Sequence, residues 1–269
     1  MEAKTTYRGF TNPWPHRRFV VQAIRGEIKR QFARSTLGAL WLILHPLARA
    51  VIFALVFSEI LLARLPGVPS PYAYTIYLMA GMAGWGLFSD VLTRSVTIFI
   101  EYAAMLKKAP ISHLCIPAIG CGGALFSHVV LLVAMALVTS LLGSVPGLAW
   151  LALIPAAAVL LLLGFGIGLI LGVFNVFKRD VAQLIGIVLQ LWFWLTPIVY
   201  VSDIIPKKYQ WIAEFNPIWP VIRVYQDAMV YGTYPQLETL AVPLALGVAL
   251  SLAALLLLRR ASSDMIDSL

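Results

Sequence analysis

The sequence has little charge, few cysteines and few histidines. Only 12% of its residues are charged, whereas a soluble domain typically carries about 25%. Hydrophobic residues make up 61%, and the mean hydropathy is +0.88. The twelve acidic residues are mostly scattered singly, with no DxxD motif and no histidine-rich cluster to hold a metal at a membrane surface. An enzyme that transfers lipid-linked sugars would need such carboxylates. The composition therefore predicts an integral membrane protein without an active site of its own.

Nucleotide and nucleic-acid sites are also missing. No GxxxxGK[ST] sequence is present, so the chain has no P-loop to hold ATP phosphates. The net charge of +8 does not indicate nucleic acid, because no zinc knuckle, aromatic RNP set or basic recognition helix accompanies it. Cys115 and Cys121 form no metal-ligand pattern and are expected to be small packed residues. We expect no cofactor in this chain and no nucleic-acid partner.

Long apolar runs dominate what is present. Six of them can cross the roughly 30 Å hydrocarbon layer of a membrane. They cover about 37–62, 72–93, 114–142, 148–177, 181–201 and 238–258. The predicted fold is all-α, with a cytoplasmic segment at 1–36 and a six-span membrane domain at 37–269. No apolar h-region precedes the first span, so targeting is expected to come from that span.

The loop charges predict the orientation. An even number of spans puts both termini on one side, and fifteen Lys and Arg residues lie on that side, against four on the other. Basic residues favour the cytoplasmic side, so both termini are expected to be cytoplasmic. The triplet Lys178-Arg179-Asp180 must lie at a membrane surface, because three adjacent charges are too costly in hydrocarbon.

Three segments outside the spans have their own predicted roles. Before the first span, Val21, Ile24, Ile28 and Phe32 form one apolar stripe of a helix, which lies either at the lipid headgroups or on the protein's own loops. Within the cytoplasmic break 95–112, residues 98–110 predict a short helix that ends at two lysines and stops at Pro110. This helix is a candidate docking element, and an ordinary basic loop is the alternative. The outer region 202–237 is apolar but broken by prolines, which favours re-entrant or interfacial helices.

A few single residues in the spans carry predictions. His128 lies near the middle of a span, which makes it a functional candidate, but the favoured interpretation is a neutral histidine paired with a neighbouring helix. Asp90 and Arg94 are four residues apart and predict a local ion pair. Gly164, Gly168 and Gly172 form a stripe that permits close helix packing.

Four motifs carry a resemblance to a known family. They are the entry Ser35-Thr36-Leu37-Gly38 to Trp41 with His45-Pro46-Leu47, the turn Phe177-Lys178-Arg179-Asp180, the run Trp194-Leu195-Thr196-Pro197-Ile198-Val199-Tyr200, and Asn216-Pro217. Together they resemble, over nearly the whole chain, the membrane subunit of ABC type-2 exporters of lipid-linked polysaccharide. These are the permeases for O-antigen, capsule or teichoic acid.

The resemblance implies a homodimeric channel that binds two copies of a cytoplasmic ABC ATPase, on which ATP and Mg would act. The cargo would be a polysaccharide on an undecaprenyl-pyrophosphate carrier, moved out across the bacterial inner membrane, with membrane lipids as further contacts. Coupling to the ATPase would run through Glu101, Tyr102, Met105, Leu106, Lys107, Lys108 and Pro110.

A channel for glycans favours aromatic platforms over fixed charges, because sugars present weakly apolar CH faces. The candidate lining residues are Trp85, Phe88, Trp192, Trp194 and Tyr200. Arg34 and Arg49 could attract the anionic pyrophosphate on entry, and Arg49 lies within the first span.

The alternatives to this function are a type-2 permease for teichoic acid, capsule, a drug or a lipid, a secondary carrier, or a membrane enzyme of lipid-linked sugars.

Overall fold

The computed structural model describes residues 17–32, 37–41, 44, 48, 52, 65, 72–108, 112–141, 145–202 and 205–269. Within these residues every regular element is helical. The α-helices are α1 (Arg17–Phe32), α2 (Ala73–Glu101), α3 (Ala103–Lys108), α4 (Cys115–Leu141), α5 (Leu153–Phe177), α6 (Asp180–Leu195), α7 (Gln210–Glu214), α8 (Trp219–Gln226) and α9 (Ala241–Ser268). A π-helical turn at Asp227–Tyr231 continues α8, and 3₁₀ turns at Leu148–Ala152 and Leu237–Leu240 precede α5 and α9.

Four helices of the described chain are long and apolar enough to cross a membrane, namely α2, α4, α5 with its 3₁₀ turn, and α9 with its 3₁₀ turn. They correspond to the second, third, fourth and sixth predicted spans. The predicted first span, 37–62, lies mostly outside the described residues. The predicted fifth span contains α6, which is apolar but has 16 residues. At 1.5 Å per residue α6 is about 24 Å long, less than the hydrocarbon thickness.

Helix α6 ends before the predicted end of the fifth span, at Leu195 instead of residue 201. Thr196 leaves the helical conformation with ψ of 130°. The physical reason is Pro197, because a proline disfavours the helical conformation in the residue before it. The chain from Thr196 to Tyr200 is therefore an irregular segment packed inside the protein.

Helices α2 and α9 continue beyond the predicted spans. Helix α2 runs to Glu101, past the predicted boundary at residue 93, and it buries Ile98 and Phe99 in this extension. Helix α9 runs to Ser268, past the predicted boundary at 258, and buries Met265. Apolar side chains recur at helical spacing in both extensions, so the packing that holds the apolar helices also holds these extended ends.

The core forms around α2, which packs on α5, α4 and α8, while α5 also packs along α9. The predicted glycine stripe on α5 is what permits the approach of α2. A Cβ atom at Gly164 would lie 3.0 Å from the Phe88 carbonyl oxygen, and one at Gly168 would lie 2.8 Å from that of Leu92. At these glycines the α5 backbone lies almost directly on the backbone of α2, which confirms the structural interpretation of the stripe.

Helix α1 forms as predicted, and it packs on α4. Its buried side coincides with the predicted stripe only in part, because Ile24 packs against the protein whereas Val21 is 48% exposed. The side chains that pack against the protein include Phe19, Val20 and Ile24, and Ile24 lies directly over Gly122. The contact is with a long apolar helix, whereas the sequence offered the headgroup layer or a loop.

Candidate functional site

The irregular segment Thr196–Tyr200 is held by side chains from two other elements. Tyr74 of α2 donates to the Val199 carbonyl, and Tyr77 donates to the Tyr200 carbonyl at 3.2 Å. Gln226, at the end of α8, donates to the Pro197 carbonyl at 3.2 Å. Carbonyl groups released by the end of a helix must find partners when they are buried. These side chains supply the partners and fix the segment between α2 and α8.

Asn216 connects the end of α6 to the start of α8. Its Oδ1 accepts from the Trp192 indole N–H and from the Ile218 backbone N–H, each at 3.1 Å. Its Nδ2 donates to the Thr196 hydroxyl at 2.8 Å, and that hydroxyl donates to the Trp192 carbonyl at 2.8 Å. Thr196 is fully buried and Asn216 is 6% exposed. The closed set of hydrogen bonds makes this a rigid corner.

An aromatic cluster lies beside that corner. The Trp192 ring meets Trp85 and Phe88 edge-on, with centroid distances of 6.3 Å and 5.4 Å. Phe193 also meets Trp85 edge-on, at 5.8 Å. Edge-to-face pairs at these distances stabilise a packed arrangement beyond the area that they bury. The cluster joins α2 to α6 although α6 buries none of its residues completely.

The predicted lining residues differ in accessibility. Phe88 is fully buried and Trp85 is 8% exposed, whereas Trp194 is 50% exposed. Trp192 and Tyr200 are partly exposed, and the Tyr200 hydroxyl donates to the Trp194 carbonyl at 3.0 Å. The structure thus divides the five into two groups. Trp192 contacts Trp85 and Phe88 near the middle of α2. Trp194 and Tyr200 contact each other at the end of α6.

His128 is paired as predicted. Its Nε2 lies 3.0 Å from the Tyr225 hydroxyl, and the two rings meet edge-on at 5.8 Å. Tyr225 is fully buried on α8, so this contact joins α4 to α8. The pair is structural in character, because both side chains lie inside the helix packing.

The predicted coupling residues lie where α2 turns into α3 at Tyr102. Leu106 is 8% exposed and packs in one apolar cluster with Met265 near the end of α9. Glu101 and Lys107 are exposed. Lys108 is the last residue of α3, and Pro110 lies outside the described residues. The segment has an apolar side that faces the protein and a charged side that does not.

Arg94 ties α1 to α2. Its guanidinium pairs with Asp90 at 2.7 Å, which confirms the predicted local ion pair, and also with Glu27 of α1. Helices α1 and α2 therefore share a charged contact. Sequence reasoning missed Glu27, because its partner is 67 residues away.

Two other polar residues of the site were not predicted. Asn175 donates to the Val96 carbonyl at 3.0 Å and accepts from the Ala182 backbone N–H at 3.1 Å, so it fastens the charged turn after α5 to α2. His113 is buried just before α4, and burial lowers its pKa below the ordinary value of histidine. The sequence did contain a signal for both residues, because each is a single polar side chain beside a long apolar run.

The predicted pyrophosphate contacts, Arg34 and Arg49, lie outside the described residues. Among the residues that the structure describes, no three His, Cys, Asp or Glu side chains come together as metal ligands. The described residues thus provide exposed aromatic surface, buried amide groups that hold the helices together, and paired charges.

Comparison with known proteins agrees with this arrangement. Residues 19–230 match the family model described as ABC-2 type transporter. The chain is 30% identical over 210 residues to the O-antigen export system permease protein RfbA of Klebsiella pneumoniae, with 77% of this chain and 78% of that protein covered. The protein of the same name from Myxococcus xanthus is 24% identical over 245 residues, covering 90% and 91%. The polysialic acid transport protein KpsM of Escherichia coli is 24% identical over 207 residues, covering 77% and 79%.

Proposed function

The chain belongs to the ABC-2 type transporter family, and from this premise we propose that it is the channel-forming permease subunit of an ATP-driven exporter of lipid-linked O-antigen polysaccharide. The family consists of membrane transport components, so the chain itself is not an enzyme. The observation that carries the proposal is the similarity, over three quarters or more of the chain, to permeases named for O-antigen export. The proposed carrier lipid is undecaprenyl pyrophosphate, and the proposed location is the bacterial inner membrane.

The aromatic residues at the end of α6 support a glycan cargo. Trp194 and Tyr200 present aromatic surface there, and the buried Trp85 and Phe88 pack against Trp192 beside them. Aromatic faces contact the CH faces of sugars without binding them through fixed charges, which suits a moving chain. In this proposal Trp192, Trp194 and Tyr200 touch the polysaccharide, whereas Trp85 and Phe88 hold Trp192 in position. Arg34 and Arg49 retain their proposed role at the pyrophosphate entry.

We place the coupling to the ATPase at the α2–α3 corner. Because Leu106 is packed on α9, a force on the exposed side of α3 is transmitted into the helix bundle. Glu101 and Lys107 are the exposed charged residues that would meet the ATPase, with Tyr102, Met105, Lys108 and Pro110 beside them. The proposed assembly is a homodimer with two ATPase subunits that bind ATP and Mg, and its termini are cytoplasmic.

Co-purification with the ATPase encoded beside this gene tests the proposal. We expect a stable complex whose ATPase activity falls several-fold in the double variant Glu101→Ala and Lys107→Ala. Lys178→Ala is the matched control, since this lysine is also exposed on the proposed cytoplasmic side but lies at another turn. A chain that purifies without any ATPase and still moves or modifies a lipid-linked sugar contradicts the exporter and favours a carrier or an enzyme.

Capsular polysaccharide is the second candidate cargo, because the chain is also similar to a polysialic acid transport protein. Deletion of the gene distinguishes the two cargoes. Loss of O-antigen from the cell surface with capsule retained supports the first proposal, and the reverse supports the second.

A further inference from the structure

The outer region contains a polar cavity that is not lined by the aromatic cluster. It has a volume of about 450 Å³ and lies between α8 with its π-helical turn and the chain that leads into α9. The side chains that give it its chemistry are Arg223, Asp227, Tyr231, Tyr234, Gln236 and Thr239. The volume is within the roughly 300–1,000 Å³ range of sites for small ligands.

The fold presents these side chains in one direction. Helix α8 buries Val221, Ile222 and Tyr225 against the core, so its opposite side is left for Arg223 and for Asp227 one turn later. The π-helical turn then carries the chain to Tyr231, and π-helical turns are frequent at functional sites.

A glycine precedes the residues that form the other wall of the cavity. Gly232 has φ of +60°, the left-handed conformation that a glycine adopts without cost, and it ends the π-helical turn. The chain therefore reverses, and Tyr234 and Gln236 come to line the cavity across from α8. The cavity exists because of this reversal.

The chemistry of the lining matches a saccharide. Tyr231 and Tyr234 are 40% and 63% exposed, so both rings have accessible surface. Arg223 and Asp227 are 3.7 Å apart, a loose pair whose donors and acceptors remain accessible to hydroxyl groups. Aromatic rings beside planar hydrogen-bonding groups can hold the CH faces and the hydroxyls of a sugar together.

The charge balance favours a neutral ligand over an anionic one. Arg223 and Asp227 are the charged residues of the lining, and their formal charges cancel. A pyrophosphate or a lipid phosphate would meet the Asp227 carboxylate beside the single guanidinium, at a cost in repulsion.

We propose that this cavity is an extracytoplasmic saccharide-binding site, which takes a short stretch of the exported polysaccharide as it leaves the channel. The inference rests on the proposed function for the side on which the cavity lies and for the source of the sugar. The aromatic residues at the end of α6 would pass the polysaccharide, and this cavity would hold it briefly outside.

Direct binding to the full-length subunit in lipid nanodiscs tests the proposal. The probe is the cell's own surface polysaccharide, released from its lipid by mild acid and trimmed to oligosaccharides, with binding followed by saturation-transfer NMR. We expect Tyr234→Ala to weaken binding about tenfold, as for the loss of an aromatic platform, and Tyr234→Phe to stay within about threefold of the parent. Tyr209→Ala is the matched control, because Tyr209 is exposed in the same outer region but does not line the cavity.

A labelling experiment on the unaltered chain keeps the test independent of variant folding. A diazirine derivative of the same oligosaccharide should label a peptide within 223–239. Labelling confined to other peptides, or equal affinity in the parent and in Tyr234→Ala, overturns the proposal. Competition by inorganic pyrophosphate at this peptide also overturns it, because the cavity would then be an anion site.

The outcomes also separate this inference from the proposed function. If the gene restores surface polysaccharide to a deletion strain while no oligosaccharide binds, the exporter stands and the saccharide site falls. If the gene restores no polysaccharide, the proposed function itself fails.

Discussion

Asn216 illustrates how one residue can hold an irregular part of a membrane protein together. It is bonded to Trp192, Thr196 and Ile218 at once, in a place where water cannot replace a lost partner. The net contribution of a single hydrogen bond is about 1 kcal/mol, but a buried group left without its partner costs about 1–3 kcal/mol. The corner between α6 and α8 is therefore sensitive to this side chain.

We predict that Asn216→Leu lowers the free energy of unfolding by about 1–3 kcal/mol, because the Trp192 indole N–H loses its acceptor. The measurement is the apparent melting temperature of the purified chain in detergent. Gln183→Leu is the control, since Gln183 is exposed on α6 and should change the melting temperature little. If Asn216→Leu melts at the same temperature as Gln183→Leu and the parent, the hydrogen bonds of Asn216 contribute nothing to stability.

Gly168 gives a second prediction at the residue scale. A Cβ atom there would lie 2.7 Å from the Ser95 Cβ atom and 2.8 Å from the Leu92 carbonyl oxygen, so the two helices must separate. We expect Gly168→Ala to destabilise the chain by about 1–3 kcal/mol, the usual cost of overpacking. The control is Gly86→Ala, where the added methyl group would meet no other atom within 4 Å. The same thermal assay checks both, and a melting temperature that is higher in Gly168→Ala than in the parent would contradict the packing.

At the scale of elements, α1 is attached to the membrane helices through both apolar and charged contacts. Glu27 pairs with Arg94, and Ile24 packs over Gly122 of α4. A partly buried ion pair contributes more than an exposed one, because solvent screens it less. These two contacts hold α1 by the side that carries Ile24 and Glu27.

We predict that Glu27→Gln loosens α1, because the pair with Arg94 loses its charge while Arg94 keeps Asp90 as a partner. Hydrogen exchange of the backbone amides of residues 17–32 should become several-fold faster. Lys29→Gln is the matched control on the same helix, since Lys29 is exposed. If both variants exchange like the parent, the apolar contact alone holds α1.

The extension of α9 beyond residue 258 is the second element with a consequence for the proposed function. Met265 is 3% exposed and packs in the cluster that contains Leu106 of α3. The extension therefore supports the proposed coupling corner from behind, although it lies more than 150 residues away in the sequence.

We predict that Met265→Ala reduces the ATPase activity of the assembled complex several-fold, because the emptied space lets α3 move without moving the bundle. The chain itself should lose about 2 kcal/mol of stability for the same reason. Asp267→Ala, at an exposed position two residues on, is expected to leave the activity unchanged. An unchanged ATPase activity in an intact complex of the Met265 variant would show that α3 needs no support from α9.

At the scale of the whole molecule, the distribution of charge predicts the orientation in the membrane. Lys107 lies on the side that we assign to the cytoplasm and Lys208 on the opposite side, and both are exposed. With Cys115 and Cys121 first replaced by alanine, we predict that a membrane-impermeant maleimide labels Lys208→Cys in spheroplasts. The Lys107→Cys variant should be labelled only after lysis. The reverse pattern would invert the topology.

The sequence determined the properties that add up along the chain. Apolar length predicted the helices at 73–101, 115–141, 153–177 and 241–268, because a membrane helix needs a minimum apolar run. Most of their ends were predicted to within a few residues, and the exceptions are the ends at 101 and 268. The glycine stripe and the Asp90–Arg94 pair were predictable because helical spacing alone brings those residues to one side. The four motifs likewise led to the family that the comparison with known proteins supports.

Only the tertiary structure decided which distant groups meet. Trp192 and Asn216 are 24 residues apart, Glu27 and Arg94 are 67 apart, and His128 and Tyr225 are 97 apart. The polar cavity likewise depends on the reversal at Gly232 and on the burial of one side of α8. Local spacing contains no information on such pairs, because they form only when separate helices pack, and that packing is set by shape and by the need to satisfy buried polar groups.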